Sequence, residues 1–171
     1  MPRQLAAARF PSPPRKLPVV RREIVLVAVV LSACAAPPQE LQAQGGEQIY
    51  ARLCSSCHAP DGKSLATLAP PLAGHAIRML EAGGRSHLIR IVLNGMSGPI
   101  EVKGRRYDAV MTPLRYLKDQ QVADVLNFVL TSWGNDRLLP SEHKPFTPEE
   151  VHKEREPVSS PKQMAAERPR F

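Results

Sequence analysis

Cysteine is scarce in this chain. There are three among 171 residues, and their placement removes several classes of protein at once. Cys54 and Cys57 lie together, and Cys34 stands alone well upstream. A zinc ribbon needs a second ligand pair, and the chain has none. A thioredoxin-like dithiol needs a preceding strand and βαβ surroundings, whereas the flanks here read as helix and loop. Long hydrophobic runs are missing too. Residues 24–31 form an apolar stretch too short to span a bilayer comfortably. The excess of positive charge is also local. The chain is formally +7, but six of its 23 Lys and Arg residues and one acid, Glu23, precede Cys34. Beyond that point 17 bases face 15 acids, so no basic surface for nucleic acid is expected. No internal repeat is visible.

What is present is specific. Cys54-Ser55-Ser56-Cys57-His58 is the attachment signature of a c-type haem. Each thiol can add to one haem vinyl group. On a helical stretch His58 lies one turn beyond Cys54, so its imidazole can reach the iron from the proximal side. A single motif implies one covalent haem c. A large covalently held macrocycle would also supply apolar interior to a small core.

The chain divides into four parts by composition. Residues 1–33 read as an amino-terminal extension and signal peptide, with Arg21-Arg22 ahead of the apolar stretch. That stretch ends in Leu31-Ser32-Ala33-Cys34, which resembles a bacterial lipobox, so Cys34 is the expected lipidation site. An ordinary secretory signal cut near Ala36 or Ala43 is the alternative. Residues 34–45 read as a flexible polar tether. Residues 46–135 hold the domain, and 136–171 form an extension. Within the domain a first helix is expected from near Gly46, and a second over residues 85–93 that stops at Asn94-Gly95. A short hairpin is expected around residues 100–102 and Tyr107. The last helix carries Val122, Val125, Leu126, Val129, Leu130 and Trp133 at helical spacing. In the extension, Thr147-Pro148-Glu149-Glu150-Val151 predicts one short helix. The charged, proline-rich tail from Pro157 is expected to be disordered.

Iron held by one histidine has an open face. Met111 is the expected second ligand, because Val110-Met111-Thr112-Pro113-Leu114 is a constrained loop ahead of the last helix. Met96, in the looser Asn94-Gly95-Met96-Ser97-Gly98, is its rival. Met79 is expected to pack on a helix, and Met164 falls in the tail. His75, His87, His143 and His152 read as surface or loop histidines. A thioether ligand favours ferrous iron and fills the sixth position, which points to outer-sphere electron transfer rather than catalysis.

The order of haem motif, Pro70-Pro71-Leu72-Ala73-Gly74 loop, Met-x-Pro loop and final helix ending Ser132-Trp133-Gly134-Asn135 resembles the bacterial class I c-type cytochromes. The strings Ile91-Val92-Leu93-Asn94-Gly95 and Leu126-Asn127-Phe128-Val129 are similar to small cytochromes serving periplasmic dehydrogenases and respiratory chains. The resemblance covers residues 45–135. It implies an all-α fold of three to four main helices around one haem, with the first and last helices crossing. Gly46 and Tyr50 would then face Phe128 and Val129. It also implies that a proline carbonyl accepts the Nδ1 hydrogen of His58, with Pro70 ahead of Pro71, and that Tyr107 approaches a haem propionate. Two features depart from the family pattern: Thr112 follows Met111 where proline is frequent, and Lys118 precedes the last helix where Ser or Thr is usual. The expectation is a periplasmic electron carrier, not itself an enzyme, with redox proteins as partners and a lipid anchor at Cys34. The alternatives are a dedicated cytochrome subunit of a dehydrogenase, and a haem enzyme or gas sensor with a labile sixth ligand.

Overall fold

The computed structural model describes residues 38–171, with side chains from Gly45 onward. The signal segment, Cys34 and the start of the tether lie outside the described residues. Helix α1 runs Pro38–Leu53 and the short α2 runs Ser55–His58. They are followed by α3 (His75–Glu81), α4 (Arg85–Asn94), a hairpin of β1 (Ile100–Val102) and β2 (Arg105–Tyr107), and α5 (Asp119–Thr131). A 3-10 turn at Asn135–Leu138 leads into α6 (Pro148–Lys153) and α7 (Pro161–Ala166). The fold is therefore helical, with one antiparallel hairpin in which Ile100 pairs with Tyr107.

The core is built where α1 crosses α5. Ile49 and Tyr50 from α1 meet Val122, Val125, Leu126, Val129 and Leu130 from α5, with Ile77, Ile89 and Leu93 closing the other side. Fully burying such a side chain contributes roughly 1.5–3 kcal/mol. The crossing is close because Gly46 has no side chain. A Cβ there would lie 2.2 Å from the Asp124 carbonyl oxygen and 2.8 Å from the Phe128 Cβ. Helix α5 starts with half a capping box. Gln121 accepts from the Lys118 backbone N–H at 2.9 Å, while the lysine ammonium has no lone pair to return.

Four expectations need correction. The first helix begins at Pro38, not near Gly46, so part of the presumed tether is helical. The tail is folded: α7 lies within it, and Met164 is completely buried. Pro161 at N1 and a full capping box, Ser160 with Gln163, start that helix. His75 and His87 are buried rather than at the surface. Burial, helped by neighbouring arginines, lowers both imidazoles to about 4. Like charges and loss of water both disfavour the imidazolium.

Candidate haem site

The motif sits at the end of α1. The N–H of Cys54 donates to the Tyr50 carbonyl at 2.9 Å, and that of His58 to the Cys54 carbonyl at 2.9 Å. The helical path is thus nearly unbroken, and His58 lies one turn beyond Cys54. Ala59 ends it in the left-handed region, with φ 63°. Both thiols are free; Cys57 is exposed and Cys54 half-buried. Burial, then the neighbouring Cys57, pushes the Cys54 thiol up to about 11. A redox dithiol needs the reverse, a lowered thiol pKa, so the dithiol reading loses its chemistry.

His58 is buried, and its Nδ1 lies 2.9 Å from the Pro70 carbonyl oxygen. A carbonyl only accepts, so Nδ1 must carry the proton and Nε2 keeps its lone pair. Burial also lowers the imidazole pKa against the opposing effect of that hydrogen bond. The ring is held neutral, oriented and open at the nitrogen that a metal would use.

Pro70 is positioned by a loop folded on itself. Leu72 and Ala73 N–H groups both donate to the Gly62 carbonyl, at 2.7 and 3.0 Å. The Ser64 hydroxyl donates to the Ala69 carbonyl. The fully buried Asn135 joins this loop to α5. Its Nδ2 donates to Val129 at 2.7 Å and Leu72 at 3.3 Å, and its Oδ1 accepts from Gly74 N–H at 2.6 Å. Behind the motif, Tyr50 donates from its hydroxyl to Ala59 at 2.6 Å and Trp133 from its indole N–H to Pro60 at 3.1 Å. The Trp133 ring presses on Gly62, where a Cβ would meet it at 2.4 Å.

The two candidate methionines are neighbours. Met96 and Met111 form an isolated antiparallel bridge, with N–H to carbonyl distances of 3.1 and 2.8 Å. Gly95 makes that approach possible. Its φ is +70°, and a Cβ would lie 2.3 Å from the Met111 carbonyl oxygen. Met96 is buried and Met111 half-buried. Tyr107 is buried on β2, facing Ile100 in register.

The cytochrome c family model matches residues 43–133. The chain is 44% identical over 124 residues to cytochrome c-552 of Thermus thermophilus, covering 72% of this chain and 93% of that one. The chain belongs to the cytochrome c family. This cytochrome is also 41% identical over 93 residues to the gluconate 2-dehydrogenase cytochrome c subunit of Pantoea cypripedii. It is 36% identical over 92 residues to the cytochrome c subunit of the quinone alcohol dehydrogenase of Gluconacetobacter polyoxogenes. Those matches cover about half of this chain but only 21% and 19% of the subunits.

Membership implies covalently bound haem c, and the residues fit it. Two free thiols and a neutral imidazole with a free Nε2 lie on one short helical path. Leu53, Leu65, Leu68 and Val110 are exposed apolar side chains in the segments bearing the motif and Met111. Such side chains suit a flat apolar macrocycle. Among the described residues no group of three His, Cys, Asp or Glu could hold a bare metal ion, and no helix is long and apolar enough to cross a membrane. The cytochrome is an electron carrier.

Sequence reading missed three supporting residues. In the sequence Asn135 reads only as part of the last helix's end, Trp133 as part of its apolar stripe, and Tyr50 as a residue facing Phe128 and Val129. An asparagine directly after a glycine at a helix end was the available signal for Asn135. The polar bonds of Tyr50 and Trp133 run to backbone carbonyls and leave no sequence trace.

Proposed function

We propose that this protein is a periplasmic, lipid-anchored mono-haem cytochrome c passing single electrons between redox proteins. In this reading Cys54 and Cys57 form the thioethers, His58 is the proximal ligand and Met111 the sixth, with Cys34 carrying the lipid. Bound haem c supplies a one-electron iron couple. The chain's own work is to keep both ligands still and to exclude water. The single observation carrying the reading is the His58 Nδ1 contact with Pro70, because it fixes the ring and leaves the Nε2 lone pair free for a metal. Met111 is preferred to Met96 because its side chain is half-buried and so open to a ligand, whereas Met96 is packed in the core. Met111→Ala abolishes the weak red-edge ferric absorption that iron–sulfur ligation gives; loss in Met96→Ala instead overturns the assignment. Cys34→Ser moves the protein from the membrane fraction to the soluble one; unchanged fractionation removes the anchor.

Similarity to dehydrogenase cytochrome subunits supports a second reading, a dedicated subunit. The near-complete coverage of cytochrome c-552 favours a free carrier. Co-purification with a large catalytic subunit would reverse that preference.

A further inference from the structure

A cavity of about 430 Å³ opens between α3, the hairpin turn and the segment after α7. Its walls carry four cationic side chains, Arg78, Lys103, Arg168 and Arg170, against one carboxylate side chain, Glu101. Among the described residues none of the four lies in an ion pair. Three separate segments deliver them, so their convergence is a product of the fold.

Arg78 and Arg168 are held by contacts, and Lys103 is placed by its turn. Arg168 donates to Nε2 of the buried His75 at 3.1 Å. The His75 ring is neutral, its pKa lowered to about 4 by burial and by the same cations, so it can accept. Arg78 and Arg168 both stand over the Phe171 ring, 5.4 Å from its centroid. The shared ring draws both guanidinium groups to Phe171. Lys103 opens a two-residue hairpin turn, with φ 52° there and 72° at Gly104. Asn, Asp or Gly suit that left-handed position; a lysine there brings a long cation at a conformational cost. Four cations facing the single carboxylate side chain of Glu101 leave the wall rich in positive charge, and arginine forks match the oxygens of tetrahedral anions.

We propose that this cavity binds a small multivalent oxyanion of the phosphate class, tying the carboxy-terminal segment to α3 and the hairpin. The volume lies within the range of small-ligand sites, roughly 300–1,000 Å³. The test uses the full-length haem-loaded protein, freed of phosphate and titrated with inorganic pyrophosphate. Calorimetry is expected to give saturable one-to-one binding, and the melting temperature to rise with pyrophosphate. Arg168→Gln and Lys103→Gln each weaken binding about tenfold and remove the thermal shift, while Lys63→Gln, on the surface elsewhere, changes neither. Lys103→Gln leaves the carboxy-terminal segment untouched, so its result stands even where Arg168→Gln loosens the fold. Absence of saturable binding overturns the proposal, as does binding indifferent to both variants. If the haem's own carboxylates fill the cavity, pyrophosphate does not bind and Arg168→Gln shifts the reduction potential in phosphate-free buffer. That result also overturns it.

Discussion

Two segments lacking long helices are laid against α4 and α5, and they are held by opposite means. The loop from Ala59 to Gly74 is fixed from inside. One buried asparagine, one indole and its own backbone turns hold it, and its task is to aim His58. The extension from Asn135 onward sinks Phe146, Val151 and Met164 inward and is otherwise fixed from outside, by arginines reaching backbone carbonyls. Arg85 donates to Lys144 and Pro145, both at 2.9 Å, pairs with Glu150 at 2.8 Å and stacks on Phe146 at 4.1 Å. Arg115 and Arg155 donate to each other's carbonyls, at 2.8 and 3.0 Å. Arg155 also pairs with Asp119 at 2.6 Å. The inner loop depends on few bonds, and those centred on the fully buried Asn135 are costly to lose. The outer strap depends on many half-exposed bonds, each screened and individually weak.

The sharpest way to break this contrast is at Asn135. Asn135→Ala leaves the Gly74 N–H without its partner and removes two donated bonds, so a loss of about 3 kcal/mol is expected. Chemical denaturation of the haem-loaded protein measures it. A loss below about 1 kcal/mol would make the loop as redundant as the strap. Next comes Met164→Ala, which empties the completely buried site under α7. The expected cost is about 2 kcal/mol, with the haem spectrum unchanged. A spectral change would mean that the strap, too, supports the iron.

The smallest effect sharpens the comparison through pH. His87 is buried on α4 beside Arg90, Glu167 and Arg168, and its Nε2 has no hydrogen-bond partner. Its folded pKa, about 4, lies below the ordinary 6.5. The unfolded chain therefore binds the extra proton first. Stability is fully present above about pH 6.5 and falls as pH drops toward 4. His87→Gln flattens that fall, read as the difference between the two denaturation midpoints across the range. Parallel curves would remove His87 as the cause.

The helices around the haem motif were legible because their apolar residues repeat over several turns. Helix α5 buries one face continuously, and α4 ends at Asn94-Gly95 as glycine predicts. Helix α7 was missed for a physical reason. It has two turns and buries one large side chain, so it leaves no periodic stripe. The better signal was local: Ser160-Pro161-Lys162-Gln163 repeats the pattern of Thr147-Pro148-Glu149-Glu150, which did mark α6. Composition argued for disorder, and capping chemistry argued for order. The burial of His75 was illegible in a different way, since its partner Arg168 lies 93 residues away. Of the site, the thiols and imidazole announce themselves by spacing. The Met96–Met111 bridge depends on a glycine whose role appears only when two strands meet.

The glycine at the helix crossing has a wider bearing. Gly46 sits on the same helical path that carries Cys54 and, through α2, His58. A Cβ there would lie 2.2 Å from a facing carbonyl, so α1 packs on α5 with no room for a side chain between them. The crossing therefore acts as a datum for the whole prosthetic group. Substitutions there would shift the imidazole bodily, and with it the distance an electron must tunnel, without altering any residue near the metal.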